Sequence, residues 1–517
     1  MKNILKKIIL LIVLISTVSC KNIDTQTIIK ENKLEDKIIK TKPVKTKNKD
    51  KIIKTIITKS KTELAVDKFI DLPEIKNASL GIKVVNLETN KTLFELDPNK
   101  SLVPASNMKI LTGAAALEIL GKDYRFKTTL AYDGKIDSKG TLNGNIYIIG
   151  GGDPTLGSRY LVAKNPIWIT TEEKKKQMEF LNTWVEEIKT IGIKKINGNI
   201  ITDPSYYPDA TLSKTWEWGD LRYTFASKPS GLTFLDNSIR LTLTKDGKEI
   251  KTTVSPTYAN TIIDNRAITN DKNSSQITLV ASPYTNKITI LGTMNRSKIS
   301  YNTVMPDPAS ALGTIFSQVL EEQGIKNNKN ISIDKFKKNK NKNKKTFIYT
   351  QYSPELGEIL SYMNKYSVNL FAEHLKIEVE KKSYRTIKNY WNKYISTKGL
   401  YIYDGSGLSR YDGVTPNTIV EVFKHMKDST NFSSFYDSLA EPGKNGTFQD
   451  FQKETVLVDN LHGKSGTLTG IKSYGGYIHN IDGDLLAFSI IINHHGMSNS
   501  KISKELEKIM ESIYYLK

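Results

Sequence analysis

The chain has 517 residues and a formal charge of +21, which is too long for one core and basic enough to suggest nucleic acid as a partner. The charge is local, however: sixteen lysines against five acids in residues 1–62 contribute +11, nine against one in residues 326–345 contribute +8, and the rest of the chain carries +2. A near-neutral body with lysine runs in a tail and a loop argues against nucleic-acid binding and leaves only attraction to an anionic cell surface.

The chain opens with MKNILKKIILLIVLISTVSC. Lys2, Lys6 and Lys7 precede the uncharged apolar run Ile8 to Ile15, which is too short to span a bilayer and is therefore expected to act as an export signal. Cys20 is the single cysteine. Its place just after the apolar run resembles a bacterial lipobox, in which the thiol is acylated and becomes the new N-terminus. Thr17 departs from the leucine usual three positions before the cysteine. The expectation is a lipid-anchored periplasmic protein, with an ordinary cleaved signal as the alternative. No intramolecular disulfide is available to the body. Residues 21–62 are rich in Lys, Ile and Thr, repeat DKIIKT and contain no aromatic residue, so they are expected to be a disordered tether.

Order is expected from Glu63, with a helix to Leu72. LGIKVVNLETNKTLFEL then places two alternating runs around the turn residues Glu88 to Lys91, the pattern of a hairpin. A helix starting at 105–106 carries Ile110, Leu111, Ala114, Ala115, Leu117 and Ile119 inward and ends at Gly121. From about 126 to 302 the texture becomes short strands and turns, interrupted by a helix at 172–191. Helical patterns return at 307–325, and SPELGEILSYMNKYSVNLFAEHLKIEVE reads as a helical hairpin. Near the end, IKSYGGYIHNIDGDLLAFSIIIN reads as two strands around Asp482-Gly483, followed by a closing helix from about 500. The fold class expected is α/β (α+β). Residues 63–125 and 303–517 would share an antiparallel sheet covered by helices, and 126–302 would be an inserted β-rich domain.

The chemistry begins at PASNMKILTG, residues 104–113. Ser106 and Lys109 stand at i and i+3, one face of a helix, if the helix begins here. Pro104 favours such a start. A serine hydroxyl needs a base to become a nucleophile, and a lysine can serve if burial or a second cation lowers its pKa. By itself S-x-x-K is common. Here it is followed in order by Ser367-Val368-Asn369 in the turn of the helical hairpin and by Lys464-Ser465-Gly466 opening the first C-terminal strand. This is the ordered set S-x-x-K, S-x-N, K-[ST]-G.

With these motifs the chain resembles the D-alanyl-D-alanine carboxypeptidase/endopeptidase family, the class C low-molecular-mass penicillin-binding proteins. GGGDPTL (150–156), WEWGD (216–220), the DPASALG helix, DGSGLSR (404–410), EPGKNGTF (441–448) and GKSGTLTGIKSYGGY extend the resemblance from about residue 78 to the end. The resemblance implies a penicillin-binding-protein/β-lactamase-like transpeptidase domain with a large insertion between the first and second motifs. It implies an acyl-enzyme on Ser106, with Lys109 as general base and Ser367 and Lys464 passing a proton to the leaving amine. Asn369 would hold the acyl-side amide. Ser465 and Gly466 would border the substrate, Ser465 binding a C-terminal carboxylate, and the N–H groups of Ser106 and Thr467 would form an oxyanion hole. By the same similarity Asp220 and Arg410 would read the charged end of a diamino-acid side chain, lined by Trp218 or Tyr223. The implied partners are peptidoglycan peptide stems, β-lactams as covalent inhibitors, a membrane through lipid on Cys20, and a second copy of the chain in a homodimer. No cofactor and no metal are expected. Val368 and Ser465 depart from the usual acid and threonine, and neither change removes a group the chemistry needs. A catalytically silent cell-wall-binding protein and a β-lactamase are the alternatives.

Other residues invite a role. His494-His495 suggests a metal, but neighbours on a strand end face opposite ways, and surface histidines are expected. His462 is expected to be structural. GGGDP lacks the Gly-Lys-Ser/Thr of a phosphate loop and reads as a turn inside the insertion. Asp404 and Ser406 read as a tight turn that positions the Arg410 segment, and the lysine loop 335–345 as solvent-exposed.

Overall fold

Strand Ser79–Asn86 is buried along nearly its whole length and lies inside an antiparallel sheet. Its hairpin partner, Lys91–Leu96, forms one edge, with Ile82 opposite Leu96. On its other side Ile82 faces Ile490 of strand Leu485–Asn493, and the sheet continues through Ile471–His479 to the far edge strand, Leu461–Leu468. The first and last segments of the chain therefore share one sheet, as expected. The computed structural model describes residues 59–166, 169–209, 211–257, 261–270, 274–282, 284–334, 344–451 and 454–517. The signal segment, Cys20 and nearly all of the tether and of the lysine loop lie outside these residues.

Both faces of the sheet are covered, which is why its strands read as near-continuous apolar runs. On one face Ile82, Val84, Phe488, Ile490 and Ile492 pack with Val66 and Phe69 of the helix Lys61–Ile70 and with Leu506, Ile509 and Met510 of the helix Asn499–Ile513. Alternate residues of the same strands, Val85, Ala487 and Ile491, face the helix Met108–Leu120. That helix is buried from Met108 through Leu117 on every side, so it is a central helix rather than the amphipathic one expected. Gly113 permits this packing, since a Cβ there would stand 2.5 Å from Leu360 Cδ1 of the neighbouring helix Leu356–Lys365. Gly121, at φ 82°, ends it.

The insertion has its own core. Strands Lys127–Tyr132, Ile146–Ile149, Ile200–Asp203, Ile331–Ile333 and Thr346–Tyr352 form one mixed sheet. Trp184 and Ile188 of the helix Phe180–Thr190 and Leu312, Phe316 and Leu320 of the helix Pro308–Glu322 pack on it. A smaller cluster around Leu241, Leu243, Ile290 and Met294 joins the strands between Ser238 and Val304. This packing corrects the boundary expected at 303. Residues 303–352 complete the insertion, because the helix at 308 buries its apolar face there and Thr346–Tyr352 pairs with Lys127–Tyr132. The insertion docks on the helix Asn369–Ser383 through buried polar groups. Tyr206 and Tyr207 of the insertion donate to the Glu378 carboxylate at 3.0 and 3.3 Å, beside Tyr124 of the preceding segment at 2.8 Å. His374 bonds Thr233 Oγ1 and the Gly152 carbonyl of the GGGDP turn. Among the described residues no helix is long and apolar enough to cross a membrane.

Candidate active site

Ser106 lies in a single 3-10 turn, Ala105–Asn107, that leads into the helix at Met108. The turn is strained: Ala105 has φ 47°, a conformation that costs a non-glycine residue energy and is kept only where the surroundings enforce it. The enforcement is visible. The Pro104 carbonyl accepts from Ser473 Oγ at 2.5 Å, and a Cβ on Gly407 would fall 1.8 Å from the Ala105 carbonyl oxygen. The serine is thus presented just before the α-helix rather than inside its first turn, and the three-residue spacing still brings Lys109 to it.

Lys109 is fully buried, and its Nζ donates to Ser106 Oγ at 2.9 Å, Asn369 Oδ1 at 2.6 Å and the Ser406 carbonyl at 2.8 Å. Burial lowers its pKa to about 7, against the opposing pull of Asp404 and Glu373. Lys464, equally buried, donates to Ser367 Oγ at 3.0 Å and to the Ser465 carbonyl at 2.5 Å. Its pKa falls well below the ordinary lysine value, chiefly through burial and further through the cations Lys109 and Lys472. Ser367 occupies a left-handed turn (φ 58°) between the two helices of the expected hairpin. Five residues from three distant stretches therefore converge on one point. Two hydroxyls each meet a buried lysine whose pKa lies below the ordinary value, Lys109 at about 7.

Lys464-Ser465-Gly466 lies within the edge strand Leu461–Leu468 rather than at its start. Gly463 exchanges both backbone bonds with Ala440 on the strand's outer side. By the two-residue period the N–H groups of Ser465 and Thr467 point to that same side. Gly466 must be glycine, since a Cβ would stand 2.8 Å from Ser106 N and 2.3 Å from Ser473 Oγ. The edge strand at Gly466 therefore runs directly against the Ser106 amide. The Ser465 hydroxyl donates to Thr447 Oγ1 at 2.8 Å, and Asn369 Nδ2 donates to the Phe225 carbonyl of the insertion at 2.9 Å. Asn369 thus ties the base to the insertion.

The WEWGD segment is fastened beside this centre by Trp216. Its ring packs with Ala226 and Leu408, with Leu468 at the edge of the cluster, and its Nε1 donates to Asp404 Oδ2 at 2.7 Å. Trp218 is 68% exposed, and Tyr223 stacks on Phe225 with ring centroids 5.1 Å apart. Arg410 pairs with Glu217 and donates to the Thr469 carbonyl at 3.3 Å. Asp220 is held above the usual carboxylate value by burial and by Glu217, with Arg410 and Arg222 acting the other way. Of the four residues expected in the pocket, Asp220 lies within electrostatic reach of Arg410, and Arg410 is already paired with Glu217.

Glu373 and Asp412 were not singled out from sequence, and Asp404 and Ser406 do more than was expected of them. Asp404 and Ser406 form the expected tight turn, but the turn reaches the base: the Ser406 carbonyl accepts from Lys109. Asp404 takes four donors, the amides of Ser406, Gly407 and Ser409 and the Trp216 indole. Glu373 accepts from the Gly405 amide at 3.0 Å, and burial with Asp404 raises its pKa to about 7. Asp412, beside Asp404, is raised to about 10 by burial first and by Asp404 next. WEWGD and DGSGLSR were visible as motifs, whereas the buried acids carry no spacing that sets them apart. His462 stacks on Tyr436 at 4.0 Å, a packing role. The expectation for His494-His495 is half corrected: His494 is exposed at φ 61°, but His495 is buried, because the chain turns back against Gly470 after the strand. Among the described residues no cluster of three metal-ligating side chains occurs.

Residues 62–513 match the D-Ala-D-Ala carboxypeptidase 3 (S13) family. The chain is 26% identical over 458 residues to a D-alanyl-D-alanine carboxypeptidase of Actinomadura sp. strain R39, covering 83% of this chain and 80% of that protein. It is 24% identical over 444 residues to the D-alanyl-D-alanine carboxypeptidase DacB of Haemophilus influenzae, covering 82% and 86%. The crystal structure of penicillin-binding protein 4 (DacB) from H. influenzae superposes with a TM-score of 0.72 at 23% identity, over 87% of this chain and 98% of that one. A second crystal structure of that protein holds a β-lactam.

Proposed function

Because the chain belongs to the D-Ala-D-Ala carboxypeptidase 3 (S13) family, we propose that it hydrolyses the bond after the penultimate D-alanine of peptidoglycan stem peptides through an acyl-enzyme on Ser106. The observation that carries this reading is the buried Lys109 ammonium, 2.9 Å from Ser106 Oγ with its pKa near 7. A base of that strength matches a reaction run near neutrality. Lys109 Nζ takes the Ser106 proton as Oγ forms its bond to the carbonyl carbon. The carbonyl oxygen, now negative, is received by the amides of Ser106 and Thr467. As the C–N bond breaks, the proton held by Lys109 passes by way of Ser367, which Lys464 holds, to the leaving amine, and Lys109 is neutral again. Water then attacks the ester as Lys109 accepts its proton, and Lys109 returns that proton to Ser106 Oγ as the ester C–O bond breaks, which releases the shortened stem and restores the serine.

The leaving group is D-alanine in carboxypeptidase action or the diamino acid of a cross-link in endopeptidase action. The exposed wall of Trp218, Asp220 and Tyr223 fits the second as well as the first. The same attack on a β-lactam carbonyl gives a penicilloyl adduct. A fluorescent penicillin is expected to label the wild type covalently and not Ser106→Ala, and the wild type to release D-alanine from a pentapeptide stem. Labelling that survives Ser106→Ala unchanged would refute the mechanism, and labelling without release would favour a silent cell-wall-binding protein. Digestion of cross-linked muropeptides identifies the bond cut. The N-terminal pattern adds the proposal of export and lipid attachment at Cys20, placing the enzyme in the periplasm. Incorporation of labelled palmitate that persists in Cys20→Ala would overturn it.

A further inference from the structure

Lys472 is a charge without an obvious use. It is 8% exposed, and no carboxylate pairs with it among the described residues. It stands on strand Ile471–His479 directly opposite Thr467. Its neighbour Ser473 faces the catalytic side, bonding Pro104, so Lys472 rises from the opposite face together with Tyr474. From there its Nζ reaches the edge strand and donates to Thr467 Oγ1 at 2.9 Å. Burying an ammonium without a counter-ion is unfavourable, and the depression of its pKa to about 8 by burial reflects that. At neutral pH the group still carries its charge. His495 adds none: burial first, then Lys472 itself, holds its imidazole below the ordinary value.

The hydroxyls of Ser465 and Thr467, two residues apart on the edge strand, lie on the same side. They are committed differently. Ser465 spends its hydrogen on Thr447. Thr467, exposed at the strand edge, accepts from Lys472, so its own hydrogen is free to be donated outward. A hydroxyl polarised by a cation and pointing to solvent is a donor suited to an anion.

We propose that Lys472 is a specificity-determining positioning residue, which holds and polarises the Thr467 hydroxyl so that the site selects ligands ending in a free carboxylate. The inference rests on the D-Ala-D-Ala reading for the identity of that ligand, the carboxylate of the leaving D-residue. Lys472 supplies the counter-charge, Thr467 makes the contact, and the substrate carboxylate supplies the anion that Lys472 lacks.

The test measures binding rather than turnover. Ser106→Ala, which forms no acyl-enzyme, is titrated calorimetrically with a stem peptide ending in D-Ala-D-Ala as the free acid and as the C-terminal amide. The acid is expected to bind at least tenfold more tightly than the amide. Adding Lys472→Gln is expected to reduce that ratio to below threefold with amide affinity unchanged. Adding Lys472→Gln on top of Thr467→Val is expected to change it less than twofold. A melting scan of each variant checks that the sheet is intact. An acid-to-amide ratio that survives Lys472→Gln, equal weakening of both peptides, additive effects of the two substitutions, or binding of neither peptide overturns the inference. Failure of the catalytic reading shows separately, as wild-type enzyme that releases no D-alanine.

Discussion

On the wall of the site built from the two ends of the chain, Lys109 bonds Ser106 and Asn369, and Lys464 bonds Ser367, at 2.6–3.0 Å. On the wall supplied by the insertion, Trp218, Tyr223 and Phe225 stand exposed, fastened by the Trp216 indole on Asp404 and by the Phe225 carbonyl, which accepts from Asn369. The first wall has little freedom because each side chain satisfies another, and removing one leaves a buried polar group unpaired. The second can vary without disturbing the proton path, provided Trp216 keeps its place. Chemistry and selectivity are thus housed in parts of the chain with different tolerance for change.

The largest effect that would sharpen this contrast is expected from Lys109→Met, which keeps the volume and removes the base. Acylation by penicillin should fall by about three orders of magnitude, and a loss of less than tenfold would show that Lys109 is not the base. In the wild type, a base whose pKa is about 7 is protonated below that pH. The acylation rate should therefore rise about tenfold per pH unit up to roughly 7 and level off above it.

Asp404→Ala tests whether the DGSG turn belongs with the rigid wall. It strips the acceptor from three amides and the Trp216 indole, so stability should fall on the order of 3 kcal/mol. Activity should fall with it, because the Ser406 carbonyl that orients Lys109 sits in that turn. A variant that melts like the wild type would break the comparison.

A smaller effect of opposite sign is expected from Asp412→Asn. A carboxyl raised to about 10 in the folded state and ionised near 4 when unfolded binds a proton on folding. The stability of the wild type therefore declines as pH rises through that interval. The asparagine mimics the neutral acid and removes the decline. Its melting temperature should be no lower than the wild type's at pH 8.5, with the difference shrinking toward pH 4. Trp218→Ala comes last. The ring is mostly in water, so stability should stay within about 0.5 kcal/mol. KM for a cross-linked substrate should rise while penicillin labelling holds, and a drop in labelling would place Trp218 on the catalytic wall.

Much of this was readable from the residues in order. The hairpin at 79–96, the helix closed by Gly121, the hairpin of helices around Ser367 and the terminal helix all follow from local periodicity and turn chemistry, which act over a few residues. Ser106 and Lys109 are joined by one helical turn, so their spacing alone brought them within reach. The other contacts cross 260 residues to Asn369 and 297 to Ser406, and no local pattern encodes them. The ordered motifs pointed to those partners by resemblance, without their geometry. Where 303–352 packs was decided by the sheet it completes, since an apolar helix face does not name the core that will bury it. The same holds for the acids around Asp404 and for Lys472. Their identity is plain in the sequence, but their charge state depends on how deeply the folded chain buries them and which groups it sets beside them. Sequence determined which groups the site contains and the short-range turns that present them; tertiary structure alone decided which lysines lie near neutrality and which charge is left unpaired, because desolvation and through-space contact exist only once distant segments meet.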